Sequence, residues 1–251
     1  MFETNGDRQV FWLIMTTDYE VFGDGSGNPV KVLIEPTEKL LKVCDRFSVP
    51  MTLFVDVLEY RVFRKAENDE IFGQDYKVAT RIERQLKNAK EKGHDVQLHL
   101  HPQWIGAEPV SANSWLINKQ YWRLPFVPGG KGRVEDAESL LGLFSKGKGL
   151  LENLLKPIDS SYECMAFRAG GYCIQPENEV LASMVETGFV VESSVCPGRR
   201  ADKGYARYDF RDAPKARPFW KIKDTVSVAN PDGALLEVPI FTSQLPRLTL
   251  G

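Results

Sequence analysis

Hydrophobic and polar positions follow two rhythms in turn along this chain. Residues 10–17, VFWLIMTT, form a largely apolar run with β-branched and aromatic members, which predicts a buried strand. Pro36 then stands where a helix can begin, and Leu40, Leu41, Cys44 and Phe47 follow at helical spacing. Residues 51–57 predict a second buried strand. Val78, Ile82, Leu86 and Ala89 recur every three to four positions, and Gly93 supplies a C-terminal stop. Residues 95–101 predict a third strand. The alternation continues with a leucine-rich helical stretch over 137–155, open to a break at Gly147 and Gly149. A short strand over 164–167, a helix over 177–186 closed by Gly188 and a strand over 189–195 follow. Strands that alternate with helices imply a parallel sheet or barrel with covered faces.

Two segments depart from this rhythm. Residues 222–229 and 234–240 flank Asn230-Pro231-Asp232-Gly233 and predict a C-terminal β-hairpin. Between Trp104 and Arg133 the periodicity fails, while Trp104, Trp115, Tyr121, Trp122 and Phe126 crowd among Gly, Pro, Ser and Asn. A long aromatic loop of this kind is often functional, and it also serves as a staple onto the domain. With no internal repeat and no low-complexity linker, one domain over residues 1–251 is the simplest organisation.

Bulk composition removes several functions. The formal net charge of -2 offers no basic excess for a phosphate backbone, so nucleic acid is not the expected partner. No apolar run reaches the length of a membrane span. The start of the chain is polar and acidic, without the basic and apolar pattern of a secretory signal. Cys44, Cys164, Cys173 and Cys196 are widely spaced and form no Cys-x-x-Cys pair, which argues against a zinc knuckle. They read as small buried hydrophobes of a protein in the reducing cytoplasm.

The polar residues at strand ends carry the candidate chemistry. All three histidines, His94, His99 and His101, fall within eight residues. His99 and His101 are two apart on a predicted strand and share a face, whereas His94 is five from His99 and points the other way. Two imidazoles on one face at the C-terminal end of such a strand suit zinc, cobalt or nickel. Asp18 and Glu20 follow the first strand with the same spacing and belong at its mouth, since burying them unpaired is costly. Either supplies a carboxylate to complete a metal group with the histidines; the plainer reading of each pair is ordinary strand-end polarity. Arg168 follows another strand and is followed by Ala169, Gly170, Gly171 and Tyr172. Its guanidinium suits a carboxylate, and the glycines allow close approach of the backbone. Glu192 ends the next strand, which alone means little.

These residues resemble the ordered motifs of the polysaccharide deacetylases, carbohydrate esterase family 4. Thr16-Thr17-Asp18-Tyr19-Glu20 is similar to the first motif, usually Thr-Phe-Asp-Asp. The segment from Gly93 to His101 is similar to the second, usually Gly-His-Glu-Ile-Gly-x-His-(Ser/Thr)-x-x-His. Phe167 to Tyr172 resembles the third, Arg-x-Pro-Tyr-like, and Val191-Glu192-Ser193-Ser194 the fourth, Asp-Ser-Ser-like. The resemblance implies a distorted or partial (β/α)7 barrel, a divalent metal held by one acid and two histidines, and removal of N- or O-acyl groups from carbohydrate. It places the catalytic base on Asp18, the first metal histidine on His99 and the base-orienting arginine on Arg168.

There are departures. The family's metal-binding aspartate falls on Tyr19 and its second histidine on Gln103, so Glu20 or Asp18 and His101 are the expected replacements. No histidine follows His101 to serve as the late acid. Either the sequence stops before it, another group donates the proton, or the protein is not a catalyst; the apolar ending over 248–251 fits a chain that continues. The expected site comprises Asp18 and Arg168 as catalytic residues and Asp18, Glu20, His99 and His101 around the metal. Trp104, Gly170, Gly171, Tyr172 and Glu192 are expected toward substrate. Hydrolysis of small linear or cyclic amides on the same scaffold, and silent carbohydrate binding, are the alternatives.

Overall fold

The computed structural model describes residues 13–242 in full and, of the first twelve, the paired backbones of Thr4–Asn5 and Arg8–Gln9. The expected strand positions at 10–12 and the ending at 248–251 lie outside the described residues.

The central sheet has seven strands. These are β1 (Met15–Tyr19), β2 (Met51–Asp56), β3 (Asp95–Leu100), β4 (Ala166–Ala169), β5 (Val191–Glu192), β6 (Trp220–Ile222) and β7 (Leu235–Glu237). Their order is β6-β7-β5-β4-β3-β2-β1, and every neighbouring pair is parallel except β6 and β7. Five helices accompany the sheet: α1 (Glu35–Phe47), α2 (Val57–Asn68), α3 (Val78–Glu91), α4 (Leu140–Leu155) and α5 (Asn178–Glu186). The mixed α/β class and its mostly parallel sheet agree with the alternating periodicity.

Of the expected distorted or partial barrel, closure is not shown. Among the described residues nothing pairs β1 with β6, so both are edges and the sheet is open. It is nonetheless strongly curled. β1 and β4 are separated by two strands, which in a flat sheet would set them about 14 Å apart. Arg168 at the end of β4 reaches Asp18 at 2.8 Å and Thr16 at 3.0 Å. A side chain spans that gap only because the sheet bends around it. The concave side therefore gathers polar groups from strands distant in order.

Local differences have local causes. Helix α2 is not foreseen by the periodicity, because the apolar run of β2 continues into Val57 and Leu58 without a break. Asp56 makes the break: its carboxylate accepts from the backbone N–H of Leu58 and Glu59 and caps the helix. Helix α4 is continuous through Gly147 and Gly149, where a break was open. The predicted strand over 189–195 shrinks to two residues, since Phe189 turns into the core against Phe144 and Phe167. The C-terminal hairpin forms with register Trp220↔Glu237, Lys221↔Leu236 and Ile222↔Leu235, around a longer connection than the Asn-Pro-Asp-Gly turn alone. No described helix is long and apolar enough to cross a membrane.

Candidate metal and active site

Strand alternation separates Asp18 and Tyr19. The Tyr19 ring is buried on the convex side, and its hydroxyl donates to Gln85 Oε1 in α3 at 2.7 Å. Thr16 and Asp18 take the concave side, where Arg168 donates to both. Tyr19 thus offers no oxygen to the concave side, and Glu20, the next residue, turns to the histidines. Glu20 Oε2 lies 2.6 Å from His101 Nδ1 and 3.3 Å from His99 Nε2. Glu20, His99 and His101 form a group whose ligand atoms all lie within 4.8 Å of one another. Asp18 stands outside that group and is held by Arg168.

Register explains the gathering. Asp56, His99 and Arg168 are direct neighbours across β2, β3 and β4. The Nδ1–H of His99 donates to the Arg168 carbonyl at 2.8 Å, which turns Nε2 toward Glu20 as the ring nitrogen open to a ligand. His101 Nδ1 faces Asp56 Oδ2 at 3.1 Å as well as Glu20. The rings of His99 and His101 meet edge to face, 4.7 Å between centroids. Burial opposes the charge on Glu20, yet His101 and then His99 hold its carboxyl well below the usual range. Burial likewise opposes protonation of His101, but Glu20 and Asp56 outweigh it and raise its pKa well above the ordinary value.

The donor set fits a divalent cation. Among the described residues Glu20 Oε2 and His99 Nε2 are buried and lack a hydrogen-bond partner, although they approach each other and His101 closely. The close contacts are not aligned as hydrogen bonds. Two buried polar atoms left without an aligned partner, Glu20 Oε2 and His99 Nε2, are costly, and an ion that took the place of the proton on His101 would engage all three side chains.

Arg168 is almost fully buried and bonded in four directions. Nε donates to the Ser193 carbonyl at 2.9 Å, Nη2 to Ser193 Oγ and Thr16 Oγ1 at 3.0 Å each, and Nη1 to Asp18 Oδ1. Its Cζ lies 4.1 Å from the Phe54 ring centre. Asp18 remains about a quarter exposed, 26% for its side chain. The loop after β4 needs both of its glycines. A Cβ on Gly170 would stand 2.2 Å from His101 Cδ2, and Gly171 has φ +55°. Tyr172 shares the left-handed region at φ +61° without being glycine, which stores strain beside the site.

Two placements differ from the sequence expectations, and that of His94 follows them. Trp104 packs edge to face on Phe63 and Trp115 in the core, 3% exposed, so it presents no face to a ligand. Glu192 is sealed beneath the site, accepting from Ser194 N at 2.9 Å and from Ser194 Oγ. His94 sits before β3, accepting from Met51 N at 3.1 Å and facing Asp45, away from the other two histidines as its odd spacing implied. Asp56 and Glu59 were not singled out from the sequence. Glu59 is buried behind Glu20 and accepts from Val21 N at 3.0 and 3.1 Å. Burial, then the charges of Asp56 and Glu20, push its carboxyl well above the usual range. The signal for both was present: Asp56-x-x-Glu59 after an apolar strand is the signature of a helix start.

Comparison with protein-family models gives no match, and comparison with curated protein sequences gives none. Among solved structures the chain is similar to a candidate polysaccharide deacetylase from Mycobacterium smegmatis, at 15% identity and a TM-score of 0.42. The similarity covers 90% of this chain and 57% of that one, so the chain spans well under two thirds of the solved protein.

Proposed function

We propose that this chain is a metal-dependent hydrolase that removes acyl groups from a carbohydrate. The observation that carries the reading is the pairing of two devices on one concave face: the Glu20–His99–His101 group, in which Glu20 Oε2 and His99 Nε2 have no hydrogen-bond partner among the described residues, and a carboxylate, Asp18, clamped by Arg168. A divalent ion such as zinc, held by Glu20, His99 and His101, would supply Lewis-acid polarisation of the acyl carbonyl and acidify water. The protein does the rest. Asp18 Oδ takes the proton from the attacking water, and Arg168 keeps that carboxylate aimed. The left-handed turn at Gly171 and Tyr172 offers backbone N–H groups to the developing oxyanion. Proton delivery to the leaving group also falls to Asp18, which after the attack holds a proton and faces the same cleft.

Asp18→Asn tests this directly. The variant should keep stoichiometric zinc, because its ligands are elsewhere, while hydrolysis of acetylated amino sugars falls by about 10²–10⁴-fold. Metal content by elemental analysis and acetate release are the two readouts. Loss of zinc with Asp18→Asn would move Asp18 into the metal group. Failure of the wild type to release acetate with zinc, cobalt or nickel added, while still binding glycan, would replace the enzyme reading with a silent binding protein.

A further inference from the structure

The aromatic segment between β3 and α4 sends Trp104 and Trp115 into the core but brings Trp122 to the site. The Trp122 indole lies between two loop glycines from opposite parts of the sheet. A Cβ on Gly23, after β1, would stand 3.6 Å from its Cη2, and a Cβ on Gly171, after β4, would stand 3.4 Å from its Nε1. Gly171 follows Gly170, the residue that abuts the His101 ring, so the indole N–H stands one residue along the backbone from the metal-competent group. The half-exposed Tyr205 stacks on Trp122 at 5.7 Å between centroids with the planes inclined by 28°.

Two neighbouring donors here have no acceptor. Trp122 Nε1 and Arg123 Nε are both buried and unpartnered among the described residues. Arg123 donates through Nη2 to the Gln175 carbonyl at 2.7 Å and lies 4.5 Å from the Phe126 ring centre. Gln175 in turn accepts from Asp209 N at 2.7 Å, and Tyr208 meets Tyr172 edge to face at 5.9 Å. This lacing brings Arg207 to the same rim. Two acids of that strip are already engaged: Asp209 pairs with Arg211 and Arg200, and Asp202 with Arg200. Among the described residues no carboxylate pairs with Arg123, Arg207 or Lys119. A part-exposed guanidinium whose Nε is sealed and which pairs with no carboxylate, next in the chain to an unpaired indole N–H and an exposed aromatic face, suits an anion carried on a ring.

We infer that Trp122, Arg123 and Tyr205 form a subsite for an anionic sugar, with the sugar ring against the aromatic pair and its carboxylate or phosphate on Arg123. The inference deepens the carbohydrate reading above and rests on it for the choice of a sugar. It narrows the substrate class from acylated carbohydrate in general to acylated carbohydrate bearing a negative charge. Stacking supplies ring recognition that tolerates different sugars, while the guanidinium supplies the charge discrimination.

Calorimetric titration of the full chain, with a chelator present so that no turnover occurs, reads the subsite apart from the hydrolase. N-acetylglucosamine 6-phosphate and N-acetylmuramic acid are compared with neutral N-acetylglucosamine, and inorganic phosphate serves as the free-anion probe. At least one anionic sugar should bind about tenfold or more tightly than the neutral one, an advantage that shrinks at high salt. Which of the two wins identifies the group as phosphate or carboxylate. Arg123→Gln should erase the advantage, and Trp122→Phe, which keeps the ring but removes the N–H, should weaken all the sugars. Equal binding of neutral and anionic sugars overturns the inference, as does inorganic phosphate binding as tightly as the sugar phosphate. If Arg123→Gln does not fold by circular dichroism, Arg123→Lys stands in: it keeps the charge but loses the fork, so a preference that survives at full strength counts against the Arg123 contact. Charge preference without hydrolysis in the metal-loaded protein would keep the subsite and discard the deacylase; hydrolysis without charge preference would do the reverse.

Discussion

Glu192 and Glu237 face each other in parallel register, and both are fully buried. Glu192 is satisfied by Ser194, while Glu237 Oε1 takes Val195 N at 3.3 Å and Oε2 has no partner among the described residues. Two adjacent carboxylates in a dry interior cannot both ionise. Burial first, and then the neighbouring Glu192, push the Glu237 carboxyl well above its ordinary value of 4.5. The sign follows from proton binding: the folded protein holds a proton that the unfolded chain releases. Stability from this group is therefore whole below 4.5 and declines as pH rises through the folded-state value. Glu237→Gln keeps the shape and supplies a permanent N–H donor. The variant should lack the decline, so its advantage over the wild type in urea unfolding should widen from weakly acidic to neutral buffer. A wild type that gains on the variant as pH rises would show that the carboxyl is charged. The same network bears on how far single residues were legible. Sequence spacing put Asp18, Glu20, His99 and His101 at strand ends, but left the expected carboxylate ligand open between Asp18 and Glu20. The structure sets Glu20 beside the histidines and Asp18 against Arg168, which arrives from 150 positions away along the chain. Spacing of two says which face a side chain takes, and nothing about which partner a curled sheet will bring to it.

At the level of elements, helix α4 shows how glycine misleads a periodicity reading. Gly147 and Gly149 both lower helix propensity, yet the helix runs through them. Gly147 is there because α4 lies close on β3: a Cβ would stand 2.8 Å from Leu98 Cδ1. Gly149 meets nothing within 4 Å. The two alanine variants should therefore have opposite signs. Gly149→Ala should stabilise by about 0.5–1 kcal/mol through propensity alone. Gly147→Ala gains the same propensity but forces the helix off the sheet, and overpacking of about 1–3 kcal/mol should make it net destabilising. Denaturant midpoints of the pair check this; equal stabilisation by both would mean that the helix–sheet spacing yields easily. Long amphipathic elements such as α1 and α3 were readable because a whole face repeats. Helix α2 was not, because its first buried residues, Val57 and Leu58, continue the apolar run of β2 and only the cap at Asp56 marks the change. The two-residue β5 was over-extended for the complementary reason: Phe189 is apolar for the sake of Phe144 and Phe167, not for a ladder.

For the whole molecule, the curl of the open sheet brings strand-end polar groups together, and under the proposed reading it would also couple metal to folding. Glu20 follows β1, while His99 lies on β3 and His101 directly after it, with β2 between them. Unfolding scatters the three, so an ion held by this group binds the folded chain far better than the unfolded one. A ligand present at a hundredfold its dissociation constant stabilises by about 2.7 kcal/mol. In a chain of this size each kcal/mol moves the melting temperature by about 2–4 °C, so zinc should raise it by about 5–10 °C over the chelated protein. The four cysteines are buried and unpaired in the fold and become available to zinc only on unfolding, which trims the shift toward the lower end. His99→Ala removes a ligand whose other ring nitrogen holds the Arg168 carbonyl, so that variant starts less stable for a second reason. The informative quantity is therefore the zinc-induced shift within each protein. It should be present in the wild type, present in a His94→Gln control whose histidine faces Asp45, and absent in His99→Ala and Glu20→Gln. A shift of full size in His99→Ala would locate the stabilising ion away from the concave face and remove the observation on which the hydrolase reading stands.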